Sequence, residues 1–459
     1  MRAVLILLTM LAGGLAAPAS TALGAAPVVC AACVQANMQR LAGDKLRGRK
    51  CGTVDENAAA KLVSAELKHS GVRAAFPHGD YLQPVKLLTP AYAAAPVLEI
   101  AGAAQPIAWT QGRDMVALAP PPSLEAPAVR VTDAHAEAAG VAGKVVIYDT
   151  PQYDPQGVAV LFRAGALVVV APASERLLKG WDQAAARPPG PTVVLGAEPP
   201  PIPSGEVQVF VKPEAMAQAR SLTLGQARLA APRAPDLART TYNVVGVIHG
   251  RDRDADRHAV LLSAHYDHLG ERGGVIFHGA DDDASGTAAV LEFARILGAG
   301  PRPRRTVYFG LFGCEEEGEL GSEYFEAHPP EPIVDFAANL EFEMIGVDDP
   351  KKPGALMLTG WERSNLGPTL AAHGALIEPD PYPAEHFFQR SDNYQLARKG
   401  VVAHTLSAWP LTPTYHDPSD DLAHVDLAFM DKVIGSLVGP VQWLLNSDFQ
   451  PAWNPGKQP

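Results

Sequence analysis

The chain of 459 residues carries 38 Lys and Arg against 50 Asp and Glu, a formal net charge of −12. That balance, with no run of basic residues, excludes nucleic acid or an anionic membrane surface as the principal partner. Hydrophobic residues make up 47% of the sequence, enough for globular cores, and the length exceeds what one core ordinarily organises, so two or three domains are expected.

Met1-Arg2, an apolar run from Ala3 to Ala17 and small residues to Ala26 form a secretory signal pattern whose core is too short to span a bilayer. Cleavage near Ala22-Leu23-Gly24 makes 1–24 the signal peptide. The mature protein is then exported, periplasmic or extracellular, with no membrane anchor. Cys30, Cys33 and Cys51 are disulfide candidates in such a compartment. Their connectivity is not legible. The Cys30-x-x-Cys33 spacing favours a structural bridge, Cys51 is a further candidate partner, and Cys314, ending an apolar run, reads as a buried free thiol.

Residues 25–95 form an N-terminal helical part. The stretch after Cys51 predicts a helix with Ala58, Leu62, Val63, Ala65 and Leu67 as its apolar stripe, ended by Gly71. Between 96 and 215, short β-type runs (VLEIAG, KVVIYDT, ALVVVAP, VQVFV) alternate with Pro- and Gly-rich turns, as expected of a β-rich module inserted into a larger domain. From 216 to 448 strand and helix patterns alternate, and 449–459 is a tail. This implies an α/β fold with a mixed, mainly parallel sheet flanked by helices on both faces. Sites in such sheets lie at the carboxyl ends of the strands.

The chemistry-bearing residues fall at those ends. His265 and Asp267 close the run VLLSAHYD, and Asp282 lies in the turn before the next helical pattern. Glu315, Glu316 and Glu317 follow RTVYFGLFG. Glu343 ends FAANLEFE, and His416 sits in TPTYHDPSDD. Two imidazoles with several carboxylates and no thiolate in ligand spacing suit zinc or a comparable divalent ion. Acidic runs beside apolar strand ends also need a cation to offset their repulsion.

The motifs AHYDHLG, GADDDASG, GCEEEGELGS, EMIG and YHDPSD, in that order, resemble those of the M28 family of zinc aminopeptidases. The inserted part resembles a protease-associated (PA) domain. The resemblance implies a zinc-peptidase/phosphorylase-like fold and two Zn2+ per chain: one held by His265 and Glu343, the other by Glu316 and His416, with Asp282 shared between them. It implies Glu315 as the general base acting on a metal-bridging hydroxide, Asp267 as the residue orienting His265, and Tyr415 as a polariser of the scissile carbonyl. Asp281 and Asp283 are assigned to capping the helix near Ser285, and Asp420 to supporting the His416 loop. His268, His278, His386 and His404 are expected to be hydrogen-bonded or solvent-facing rather than ligands. Glu343 stands where most relatives have Asp, leaving Glu341 as a competing ligand, and Asn393 stands where His is common. The expected activity is removal of N-terminal residues from peptides. A carboxypeptidase or dipeptidase using Arg390 is the alternative within the enzymes, and a non-catalytic binding or receptor-like homologue is the alternative outside them.

Overall fold

The computed structural model describes residues 28–102, 106–118, 123–185, 193–196, 207–252 and 258–459. The expected signal segment 1–24 lies outside them. The main sheet is built from Leu82–Tyr92 (β1), Arg233–Ile248 (β2), Ala259–His265 (β3), Val307–Phe312 (β4), Phe336–Phe342 (β5), Leu356–Leu358 (β6), Ile377–Pro379 (β7) and Val402–Ser407 (β8). Their order is β7-β6-β8-β5-β3-β4-β2-β1, with Val194–Leu195 added at the outer edge of β1 and Arg73–Ala74 paired to β2. The central strands β8, β5, β3 and β4 run parallel, while β1, β2 and β6 join antiparallel to their inner neighbours. The sheet is therefore mixed around a parallel centre.

Every residue of β3, β4 and β8 is buried, as continuous apolar runs covered on both faces require. Side chains alternate between two cores. Val260, Leu262 and Ala264 face helices Ala31–Leu41, Val54–His69, Gly286–Ala299 and Leu427–Asn446. Ala259 and Leu261 face the helices Leu320–Ala327 and Asn393–Ala397 on the opposite side. Each fully buried Leu or Phe contributes about 1.5–3 kcal/mol on leaving water. Helix 427–446 is started by Asp426, whose side chain accepts the Phe429 N–H. It buries Met430, Val433, Ile434, Leu437, Val441 and Leu444 at helical spacing.

Helix Val54–His69 differs from its expected face. Glu56, Ala59, Ala60, Val63 and Leu67 are buried, whereas Ala58 and Ala65 are exposed and Leu62 is only half-buried. A polar partner turned the helix: Glu56 points inward to accept from Thr241 Oγ1 at 2.5 Å and from the Gly52 N–H at 2.7 Å.

A second, eight-stranded sheet draws all its strands from the stretch between Val97 and Ala230 and has its own core around Leu98, Trp109, Ile147, Val170 and Val209. The chain enters it from β1 and returns through β2, which pair from Tyr92↔Arg233 to Leu82↔Val244, so both ends of the insert are hydrogen-bonded neighbours. Beyond 448, Trp453 donates to the Gly400 carbonyl and packs against Phe388 and His404.

The cysteines pair as Cys30–Cys33 and Cys51–Cys314. The expectation of a free thiol at Cys314 is overturned. The segment before helix 54–69 folds back on the loop after β3, with Lys50 bridged to His268, and this sets Cys51 beside the end of β4. No pattern local to either cysteine encodes that return. No helix among the described residues is long and apolar enough to cross a membrane.

Candidate metal centre

Four strands deliver the site. β3 ends on His265, β4 leads through Cys314 to Glu315 and Glu316, β5 leads to Glu343, and the loop after β8 carries Tyr415 and His416. Asp282 reaches the same point from the irregular segment Ala280–Ser285 that precedes helix 286–299. That segment begins at Gly279, at φ 61°, where an added Cβ would lie 2.3 Å from the Asp282 carbonyl oxygen and 2.4 Å from His268 Cγ. Only glycine fits there.

His265 Nε2 lies 3.2 Å from Asp282 Oδ1, and His416 Nε2 lies 3.2 Å from Asp282 Oδ2 and 3.0 Å from Glu316 Oε2. His265, Asp282 and Glu343 each bring a ligand atom within 4.8 Å of the others, and so do His268, Asp282 and Glu316. The expected site residues thus converge on one rim, with Asp282 between the two groups. Glu315 Oε2 stands 3.9 Å from His265 Nε2. Asp267 lies 3.7 Å from His265 Nδ1, and its Oδ1 also accepts the Glu315 N–H at 3.0 Å, so it fixes the backbone of the residue expected as base. Tyr415 stacks on the His416 ring, centroids 3.9 Å apart.

The surrounding carboxylates are sorted by their partners. Asp283 accepts from the N–H groups of Gly286 and Met344, starting the helix and tying down the loop after β5. Asp281 does not cap; it accepts the Gly346 N–H at 2.6 Å. Asp420 accepts the N–H groups of Asp281 and Asp282, so its support goes to the shared aspartate's backbone. Glu341 is turned away into a network with the Asn393 N–H and Thr405 Oγ1. His278 pairs with Asp44 and His404 with Ser364 and the Thr359 carbonyl, while His386 is exposed. His268 is buried rather than solvent-facing, with Nδ1 2.7 Å from Glu316 Oε1. Its place three residues beyond His265 falls in an irregular turn, where no periodicity reveals a direction.

Sequence patterns also missed Arg49, a buried guanidinium that donates to the carbonyls of Leu41, Tyr266, His278 and Gly279. Its partners are backbone atoms of distant loops. Arg49→Met keeps most of the stem but strands those carbonyls, and is expected to lower stability by about 3 kcal/mol. Urea unfolding checks this; an unchanged midpoint contradicts it.

The donor set fits divalent cations. Both ring nitrogens of His265 and His268, Asp267 Oδ2 and Glu316 Oε1 are buried without a hydrogen-bond partner, a costly arrangement that a cation relieves by taking one nitrogen of each ring and the Glu316 oxygen. The electrostatics agree. Burial, then the Glu343 and Asp392 charges, push the Glu315 carboxyl well above the usual range against the pull of His265. Burial opposes protonation of His265, but Glu315, Asp267 and Asp282 outweigh it and hold its pKa high. Burial also acts to raise Asp282, yet His265 and His416 bring it well below the ordinary value.

The metal-free protein has a pH signature. Burial raises Glu343 to about 7 and Asp392 to about 8. His416, despite burial, is raised to about 10 by Asp282 and Glu316. Each of these groups holds more protons folded than unfolded across roughly pH 6.5–8.5, so their contribution to stability falls as pH rises through that window. In thermal melts, the chelated protein is expected to have a lower Tm at about pH 8.5 than at about 6.5, with the difference shrinking on zinc addition. A Tm that rises with pH contradicts this.

Beside Glu343 a cavity opens between Met344, Met357, Phe387, Arg390 and Tyr415. Arg390 sits over the Phe387 ring at 4.9 Å and 4.0 Å from Glu385, its side chain 44% exposed.

Residues 243–438 match the model of peptidase family M28. Aminopeptidase YwaD of Bacillus subtilis is 30% identical over 195 residues, covering 40% of this chain and 41% of that protein. A vacuolar membrane protease of Candida dubliniensis is 40% identical over 88 residues, 19% of this chain and 9% of its own. The chain thus spans less than half the length of these curated relatives. Among solved structures, an aminopeptidase from Aneurinibacillus sp. strain AM-1 superposes with a TM-score of 0.60 at 20% identity, covering 94% of this chain and 96% of that one. The zinc aminopeptidase BSAP of Bacillus subtilis gives 0.56 at 18% identity, covering 91% and 96%. These likenesses share the fold described above. The strand-end acids and histidines of the site all lie inside the segment, residues 243–438, that matches peptidase family M28.

Proposed function

We propose that the protein is an exported two-zinc aminopeptidase that releases N-terminal residues from peptides. The observation that carries this reading is the gathering of His265, Asp282 and Glu343 on one side, and of Asp282, Glu316 and His416 on the other, with the Glu315 carboxylate beside His265. Zinc bound there supplies a Lewis acid and a water acidified to near neutrality. The chain's own residues do the rest. Glu315, held by Asp267 through its backbone N–H, takes the proton of the attacking water and passes it to the departing amine. Tyr415, in the wall of the same cavity as Glu343, donates to the scissile carbonyl. The acidic rim holds the substrate's free α-amine.

The likeness to aminopeptidases among its relatives and structural neighbours supports the activity. Export is supported by the two disulfides and by the apolar N-terminal run. The insert is in this reading a protease-associated module. A panel of peptides blocked at one end or the other, assayed with and without zinc, tests the reading: cleavage confined to peptides blocked at the N-terminus overturns it.

Arg390 favours a second reading, because a cation in the cavity wall can pair with a substrate carboxylate. Under the aminopeptidase reading, Arg390→Gln changes hydrolysis of free-acid and C-terminally amidated peptides alike. A KM increase of about 10-fold or more, the worth of one exposed charge-assisted hydrogen bond, confined to free acids would make the protein a carboxypeptidase or dipeptidase.

A further inference from the structure

We infer that His268 is an additional protein ligand in the Glu316 and His416 half of the site, an assignment that rests on the two-cation reading. His268 is 1% exposed, with Nδ1 2.7 Å from Glu316 Oε1 and 3.9 Å from Asp282 Oδ2. Its ring stands edge-on to His416, centroids 5.8 Å apart. The approach to Glu316 is close but lacks hydrogen-bond alignment: neither ring nitrogen of His268, nor Glu316 Oε1, has a hydrogen-bond partner. Two of these buried, unmatched atoms, His268 Nδ1 and Glu316 Oε1, meet at one point, and a cation that both face explains them.

The ring is also held there. Its backbone N–H donates to the Arg49 carbonyl, its residue forms a β-bridge with Lys50, and its imidazole packs against Gly279, where a Cβ would collide with it. The site is therefore asymmetric. His265 and Glu343 share Asp282 on one side, while His268, His416 and Glu316 share it on the other. The second half offers one more protein donor.

The test uses the full-length protein loaded with 113Cd and labelled with 15N-histidine. Two cations per chain and three cadmium-coupled imidazoles (His265, His416 and His268) are expected. Two cations with only two coupled imidazoles overturn the inference and leave the two-cation reading standing; fewer than two cations overturn that reading itself. In chelator-competition titrations, His268→Gln and His268→Asn are expected to weaken one cation by more than about 100-fold, beyond the 10–100-fold that loss of an outer hydrogen-bonding partner brings. Unchanged affinity for both cations in variants that melt as the wild type does contradicts the assignment.

Discussion

Glu315→Gln is expected to lower kcat by about 10²–10⁴-fold, the range that a positioned general base supplies, while the protein retains its full complement of zinc. The separation follows from the geometry. Glu315 is absent from both ligand-forming groups, yet its carboxylate stands 3.9 Å from His265 and its backbone is fixed by Asp267. Glutamine preserves size and position but cannot take a proton. Metal analysis and steady-state kinetics on the same preparation decide the matter. Retained activity removes Glu315 from the base role, and loss of zinc with activity makes it a ligand instead.

Asp282→Asn should have the opposite profile. Asp282 is buried, faces His265 with one carboxylate oxygen and His416 with the other, and has its backbone N–H held by Asp420. The substitution keeps the shape and removes the charge shared by the two halves, so zinc content is expected to fall below one per chain. The rate should then drop by more than about 10³-fold, since a cation supplies several kcal/mol at the transition state. Asp281→Asn, one residue away, retains both cations, because the Asp281 side chain accepts from Gly346 and Ser285. Equal zinc loss in the two variants would show that charge in the segment, rather than the position of Asp282, controls binding.

Much of this rim was legible because strand ends are marked in sequence. An apolar run terminates, and the residues after it can point only to one edge of a covered parallel sheet. His265, Glu315, Glu316 and Glu343 are placed by that rule alone, and the ordered motifs add Asp282 and His416. What stayed hidden depends on the return of distant chain. Cys51 meets Cys314 across 263 residues, and Arg49 is spent on carbonyls of loops far along the chain. Helix 54–69 was turned by the inward Glu56, a contact with Thr241 that outweighs the apolar stripe. The direction of His268 was not legible because a turn after a strand has no period. Its direction is set by Gly279 and by the segment around Lys50, neither of which a local pattern connects to it.

The most direct test of the account is a zinc titration of the chelated wild-type protein, following release of the first residue from a peptide with a free N-terminus and a blocked C-terminus. The rate should rise until two zinc ions are bound per chain and then level off, and the N-acetylated form of the same peptide should remain intact throughout. A full rate at one zinc per chain or fewer, or cleavage of the acetylated peptide at a comparable rate, would contradict the two-cation aminopeptidase.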